Sequence, residues 1–401
     1  MTTSEKIDRT AMRAHNRAVV LELLRTEGPL ARTEVADRTG LAKATVGSIV
    51  DGLLTEGWVA ESGDPPVAGR IGRPRTLLVF EAERVAHLGV HVGVDATGVV
   101  VLDGAGSVVA THTVATVPGD PDRSFRDVGR LVRAALRAGG VPRDRVANAT
   151  VALPGLVDRE GRCTIAPNLG WLDVAVADRV EAMLGVPTTA VNSTRASAYA
   201  ESVEGVAGRA RSFVWLYVGS GIGSALVEDG DLVPGSGGFA GEIGHCRVSD
   251  AGPVCRCGKR GCLEVFAAVP AILAAARDDR PDGTGRDVAS VADVVAAARA
   301  GDARAAGALQ EAGRWLGLGT SYLVSILNPE LVVLGGEASV AGDLLLGPLR
   351  EALAVDALTA EQVPVVATTV AGDAALRGAG LLALHGAPAD RVGATTLRGV
   401  G

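Results

Sequence analysis

The chain has 401 residues, too many for one ordinary hydrophobic core, so a small module joined to a two-lobed body is the expected plan. It is 47% hydrophobic with a net charge of −7; no apolar run reaches the ~18 to 20 residues of a membrane helix, and the opening MTTSEKIDRT lacks a signal peptide's apolar stretch. These features point to a cytoplasmic protein with no membrane partner. The charge is uneven: residues 1–80 hold 11 Lys/Arg and 10 Asp/Glu, leaving 28 and 36 for the rest. A near-neutral head on an acidic body permits nucleic-acid binding without proving it.

Apolar residues recur at helical spacing through Asn16 to Thr26, and a short second helix fits Thr33 to Thr39 with Thr33 as N-cap. Gly40 breaks the pattern. In a third helix Val46, Ile49, Val50, Leu53 and Leu54 share one face, while Lys43, Thr45, Gly47 and Ser48 lie on the other. Ala42 stands where a capping serine would be expected. Two short helices joined through a glycine, then Trp58, Val59 and the stretch AGRIGRPRT (68–76), read as a winged helix-turn-helix over 1–80. Arg70, Arg73 and Arg75 alternate with Gly and Pro on a segment that cannot be helical and can lie along a DNA groove. Lys43, Thr45, Ser48 and these arginines are the candidate DNA contacts; the competing reading is a head that packs on the body with solvated arginines.

From Val85 the texture becomes β-rich runs alternating with Ala-rich helices. Strands are expected in VAHLGVHVGV, GVVVLD, SVVATHTV and Val146 to Leu153, with a helix near Asp122 to Ala138. A second cycle starts with SFVWLYVGSGIGSALVEDG, and a helix near Ala305 to Leu327 leads into LVVLGGE. The class is α/β, with two βββαβα lobes, about 81–190 and 191–401, facing a cleft. The turn GSGIGS (219–224) could cradle phosphate with its N–H groups, or be an ordinary tight hairpin; Gly335 and Gly336 could admit a base or merely close packing.

The densest signal is GHCRVSDAGPVCRCGKRGCLE (244–264), which places four of five cysteines within seventeen positions. In a reducing compartment such clustering points to metal or redox chemistry rather than a disulfide frame, and C-x-C beside a histidine is not the redox C-x-x-C pattern.

GEIGH (241–245), CxCGxxGCLE (255–264), the GSGIGS turn and Asn-Pro-x-x-apolar-Gly-Gly (328–336) together resemble the ROK family, named for repressor, open reading frame and kinase. PNLGW (167–171) and GDAALRGAG (372–380) agree, and the resemblance covers nearly the whole chain. It implies an actin-like two-lobed fold, used by kinases for ATP and a hexose and by repressors, which add a winged helix, for an inducer. By the resemblance, His245, Cys255, Cys257 and Cys262 would hold a closed, structural Zn²⁺, a cofactor worth ~10 to 16 kcal/mol in zinc peptides. Cys246 has no counterpart in the pattern and is expected as a buried thiol. Glu242, His245 and Glu264, with Asn168 and Asn192, would bond sugar hydroxyls.

Two departures argue against catalysis. The family's first phosphate motif begins D-x-G-x-T; here the stretch is HVGVD (91–95), with His91 at the carboxylate position and Asp95 adding negative charge to a polyphosphate site. Family kinases carry Asn-Asp at the start of the catalytic helix, whereas this chain reads VNSTRASAYAE (191–201), with Ser193 at the Asp position. Losing a positioned general base costs ~10² to 10⁴-fold. Asn192 and Glu201 are retained. The expected protein is a transcriptional regulator, most simply a homodimeric or homotetrameric repressor, whose partners are operator DNA and a carbohydrate effector. The alternative is an ATP-dependent sugar kinase with an appended DNA-binding head.

Overall fold

The computed structural model describes residues 9–63, 76–277 and 288–386. The head comprises α1 (Arg9–Glu27), β1 (Leu30–Ala31), α2 (Arg32–Thr39), α3 (Lys43–Glu56), β2 (Val59–Gly63) and β3 (Thr76–Phe80). Its strands form an antiparallel sheet in the order β1-β3-β2. The apolar face of α3 is buried: Val46, Ile49, Val50 and Leu53 pack with Val20, Leu24, Val35 and Leu78. At ~1.5 to 3 kcal/mol per fully buried large apolar side chain, this cluster is the head's own core.

Thr33, expected as the cap of α2, lies inside its first turn. The helix starts at Arg32 because the Glu34 carboxylate reaches back to accept the Ala31 N–H at 2.8 Å, satisfying a donor the helix cannot. At Ala42 no side chain caps α3.

A short strap ties the head to the body. Glu81 N–H donates to Trp58 O at 3.0 Å, Gly104 N–H to Ala82 O at 2.9 Å, and the Arg145 guanidinium to Glu83 O at 3.2 Å. The body then runs β4 (Ala86–Val92), β5 (Ala96–Asp103), β6 (Val108–Ala115), α4 (Pro121–Ala138), β7 (Val146–Leu153), β8 (Leu156–Val157), β9 (Arg162–Ala166), β10 (Trp171–Ala175), α5 (Val176–Leu184), β11 (Thr188–Asn192) and α6 (Ser193–Glu204). It continues with β12 (Phe213–Val218), β13 (Ile222–Glu228), β14 (Asp231–Leu232), α7 (Glu264–Ala267), α8 (Val269–Ala276), α9 (Val291–Arg299), α10 (Ala303–Leu327), β15 (Leu331–Gly335), α11 (Asp343–Asp356), β16 (Val365–Ala367) and α12 (Ala374–Leu384).

Two five-stranded mixed sheets share one plan, β11-β7-β4-β5-β6 and β14-β13-β12-β15-β16. In each, an antiparallel three-strand meander is extended by two strands parallel to its first strand. The central strands β4 and β12 are covered on both faces, which is why their sequences are almost continuously apolar. In β12, Val214, Leu216 and Val218 join the core under α10, while Phe213, Trp215 and Tyr217 face the core beneath α6 and α12. α12 returns to the first sheet and packs on β4 and α6. A third small sheet, β10-β9-β8, carries PNLGW in its hairpin, anchored by the buried Trp171 against Phe125 with ring centroids 5.7 Å apart. Among the described residues, no helix is long and apolar enough to cross a membrane.

Candidate functional site

A cavity of about 560 Å³ opens between the two large sheets. On one side lie the end of β4, the hairpin of the small third sheet that holds Asn168, and the start of α6; on the other lie the β12–β13 turn, Glu242, His245 and Glu264. The structure thus brings Asn168, Asn192, Glu242, His245 and Glu264 to one wall system.

Each is placed by local backbone chemistry. Asn192 caps α6, its Oδ1 accepting from Thr194 N–H at 2.8 Å and Arg195 N–H at 3.3 Å, while its Nδ2 donates to Gly155 O at 2.9 Å. Glu264 opens α7, and its Oε2 accepts the Ile222 N–H at 3.2 Å across the glycine turn. A Cβ on Gly221 would stand 2.7 Å from that carboxylate oxygen, so the turn needs glycine where Glu264 approaches. Asn168 is held from the other side by Arg256, whose Nη1 donates to its Oδ1 at 2.7 Å. Glu242 precedes the short 3-10 turn Ile243–His245. Burial pushes its carboxyl above the usual value, with Glu264 adding to the rise and His245 and Arg195 opposing it.

Behind Glu242 lies Arg195, 5% exposed. Burial pushes its guanidinium down to about 10, Glu242 opposes this, Nη2 donates to Val157 O at 3.3 Å, and Nε has no partner. A buried cation of this kind is costly unless a carboxylate stays near it. Glu201 is wholly buried, its Oε1 accepting from Val206 N–H at 2.6 Å and its Oε2 from the Thr368 hydroxyl at 2.6 Å. It fastens the end of α6 to the cavity wall at Thr368.

His245, Cys255, Cys257 and Cys262 converge, with their ligand atoms all within 4.8 Å of one another. Cys257 and Cys262 sulfurs are 3.7 Å apart and Cys255 Sγ is 3.6 Å from His245 Nδ1. A tetrahedron with ~2.3 Å metal–sulfur bonds spaces sulfurs ~3.8 Å apart, so three thiols and an imidazole gathered this closely are a donor set suited to Zn²⁺. Cys246, expected to be buried, is exposed. Its backbone is used on both sides, N–H to Ile243 O at 3.0 Å and O from Leu263 N–H at 2.9 Å, and the thiol is left outside. The fully buried thiol outside the cluster is Cys163, pushed up to about 11 by burial and Asp158.

The other half of the cavity is different in character. His91 Nδ1 lies 2.6 Å from Asp373 Oδ2, and Asp373 also caps α12. Burial opposes ionisation of Asp373, but His91 and the Leu376 and Ala375 N–H groups outweigh it and hold the carboxyl below its usual value. Asp95 and Glu337 line the same half, and Glu337 is pushed up by burial and by Asp95. The decisive residue, which sequence reasoning missed, is Tyr217. Its ring crosses the glycine turn so closely that a Cβ on Gly219 would collide with its hydroxyl. Burial and the charges of Glu337, Asp373 and Asp95 push this phenol up to about 12, and Ser220 bonds it. Tyr217 stands two residues before the turn, on the strand face it shares with Trp215, a placement that only the packing of β12 reveals.

In the head, Lys43 and Ser48 are exposed and Thr45 is half-buried on α3. Arg70, Arg73 and Arg75 lie outside the described residues.

Comparison with known proteins accounts for both parts of the chain. Residues 87–385 match the ROK family and residues 18–63 match the IclR helix-turn-helix domain. A xylose repressor of Caldicellulosiruptor bescii is 29% identical over 354 residues, covering 86% of this chain and 88% of the relative. A solved ROK family transcriptional regulator, described as a homologue of the E. coli MLC protein, superposes with a TM-score of 0.79 at 24% identity, covering 95% of this chain and 98% of that one. A ROK glucokinase from Streptomyces griseus, in complex with glucose and AMPPNP, gives 0.66 at 28% identity over 75% of this chain and 99% of its own. The kinase match leaves a quarter of the chain uncovered, and the head is what the regulator match adds. The chain therefore belongs to the ROK family and, with its N-terminal helix-turn-helix, is one of the family's transcriptional regulators.

Proposed function

We propose that the chain is a repressor whose head binds operator DNA and releases it when a small carbohydrate enters the cavity, without phosphorylating it. The observation that carries this reading is the asymmetry of the cavity. One half presents carboxylates, amides and an imidazole at Asn168, Asn192, Glu242, His245 and Glu264, groups suited to fixed hydroxyls. The other half has Tyr217 over the glycine turn and three carboxylates where a polyphosphate would lie. Ser193 supplies no base at neutral pH, and His91 is committed to Asp373.

His245, Cys255, Cys257 and Cys262 hold a structural Zn²⁺ that fastens Glu264 beside Glu242. The His245 Nδ1 faces the cysteines, so Nε2 is the atom left for a hydroxyl. Lys43, Thr45 and Ser48 on α3, with Arg70, Arg73 and Arg75, contact DNA, and a homodimer or homotetramer presents two heads to paired half-sites. The xylose-repressor relative makes a pentose the first effector to test.

Calorimetric titration of the zinc-loaded chain with pentoses, hexoses, their phosphates and ATP tests the reading. Sugar binding without ATP binding is expected; tight ATP binding with sugar consumption would make the protein a kinase. On DNA, Lys43→Ala is expected to flatten the slope of log affinity against log salt by ~0.9 if it neutralises one phosphate.

A further inference from the structure

Two turn tips meet at the edge of the cavity. One is the turn from Cys255 to Gly258, closed by Gly258 N–H to Cys255 O at 2.9 Å, with Gly258 at φ 86°. Cys255 and Cys257 both belong to the converging cluster, so Arg256 projects from a backbone pinned on either side of it. The other tip joins β9 to β10. There Leu169 N–H donates to Ala166 O at 3.1 Å, and Leu169 O accepts from Gly119 N–H at 2.8 Å. Arg256 and Asn168 both line the cavity, and the bond from Arg256 Nη1 to Asn168 Oδ1, 2.7 Å long, joins the two tips. Arg256 is exposed and Asn168 half-buried, which places this bond at the rim.

A guanidinium carries donors only, so the amide must turn its oxygen towards Arg256. Among the described residues, no second group bonds the Asn168 side chain, and an amide's shape alone does not separate its oxygen from its nitrogen. The bond to Arg256 therefore decides which way Asn168 faces. It turns Nδ2 inward: a Cβ on Gly221 would stand 3.4 Å from Asn168 Nδ2 and 2.7 Å from Glu264 Oε2, so the amide donors and the carboxylate border the same glycine. A donor and an acceptor side by side suit a hydroxyl, which accepts and donates at once. A phosphate dianion lacks the donor, and an ammonium lacks the acceptor.

We propose that Arg256 is a positioning residue that fixes the orientation of the Asn168 amide, so that this wall of the cavity selects a neutral hydroxyl. The inference rests on the carbohydrate effector proposed above. Arg256 acts through Asn168 and is not itself a contact of the sugar. Its charge makes the bond a charge-assisted one, which holds the amide more firmly than a neutral donor would.

Two measurements on the full zinc-loaded chain test this. Without sugar, ¹⁵N relaxation of the Asn168 side-chain amide, assigned by its loss in Asn168→Asp, reads the orientation directly. The order parameter is expected to drop by at least a third in Arg256→Ala and by less in Arg256→Lys, which keeps a donor. An unchanged order parameter in Arg256→Ala would overturn the inference. With D-xylose as probe, calorimetry is expected to show at least fivefold weaker binding in Arg256→Ala and at least as large a loss in Asn168→Ala. The double variant is expected to lie within twofold of Asn168→Ala, because the two residues act as one unit. Bound zinc is expected to stay at one per chain by elemental analysis in Arg256→Ala, so that the loss is not a collapse of the cluster. Wild-type affinity in Arg256→Ala, or losses that add in the double variant, would overturn the assignment. If wild type shows no D-xylose binding, the pentose reading of the cavity fails, and the sugar-free relaxation still decides whether Arg256 sets Asn168.

Discussion

The two halves of the cavity lie side by side yet have been left in opposite conditions. The half built around Glu242, His245 and Glu264 is braced, with a four-ligand cluster, a buried Arg195 and a glycine turn shaped to a carboxylate. The half built around His91, Asp95 and Tyr217 is acidic, with the Tyr217 ring lying close over the glycine turn. Two unit charges ~6 Å apart at an effective dielectric of ~20 interact by about 3 kcal/mol, so each carboxylate there can repel a phosphate by that order. In the proposed function the cavity has lost the partner of a two-substrate reaction while keeping the groups that recognise one substrate. Binding and turnover are separable because they rest on different residues.

The sharpest way to break the comparison is to unfasten the braced half. Cys262→Ser is expected to reduce bound zinc from one per chain to none by elemental analysis and to abolish sugar binding, since Cys262 is fully buried and Leu263 and Glu264 follow it directly. Retention of sugar affinity without metal would show that the cluster does not hold the site. Next in size is Glu242→Ala, expected to weaken sugar binding at least 100-fold by calorimetry, about 3 kcal/mol, because it strands both the ligand's hydroxyls and the Arg195 guanidinium. Glu242→Gln keeps the shape but not the charge, and is expected to fall between.

Much of this asymmetry was legible in the sequence, and the illegible part has a physical cause. The zinc-type cluster is readable because its four ligands lie within eighteen residues and their spacing is dictated by a tetrahedron. The absence of a base that we propose at Ser193 is readable because general-base catalysis there would need an ionisable side chain. Tyr217 was not read, since nothing in FVWLYV says that a phenol reaches over the turn two residues later; that depends on which strand face meets α6. Arg195 looked like one more polar residue in a helix, and only the packing of α6 against Val157 shows it to be buried. The return of α12 to the first sheet, which brings Asp373 to His91 across 282 positions, is likewise invisible to local pattern. Thr33 and Cys246 show the same limit in miniature. Each is decided by a neighbour's reach, by Glu34 in one case and by the paths of Ile243 and Leu263 in the other.

The acidic half can be altered in steps, with smaller effects. Ser193→Asp alone is expected to leave ATP binding and turnover at background, because Tyr217 and the three carboxylates still face the place proposed for a polyphosphate. Adding Tyr217→Thr and Asp95→Ser is expected to bring ATP affinity up by at least tenfold, into a range calorimetry can measure, with sugar affinity changed less than threefold. ATP binding by the single Ser193→Asp variant would show that Tyr217 moves aside readily and that the two halves are less distinct than their geometry implies.

The smallest effect lies away from the cavity, at His87 of β4 and at His385, which follows the end of α12. Burial pushes His87 and His385 below their ordinary value, and Arg25 lowers both further; Asn148 and Asp103 oppose this at His87, as Glu22 does at His385. A depressed histidine holds fewer protons folded than unfolded, so its contribution is intact above about pH 6.5 and is lost as pH falls through the depressed value. Asp373 has the opposite window: its depressed carboxyl contributes above its ordinary value of 3.8 and fails only at lower pH. As pH falls from 7.5 to 5.5 the unfolded chain therefore takes up protons that folded His87 and His385 resist, while the cap of α12 is untouched. The wild-type Tm is expected to fall more over this interval than that of a His87→Gln/His385→Gln variant, the slope rather than the starting Tm being the readout. Sugar affinity in the variant should stay within twofold of wild type at each pH, since neither histidine lines the cavity. A variant with an undiminished slope would place the acid sensitivity elsewhere and leave His87 and His385 indifferent to proton binding.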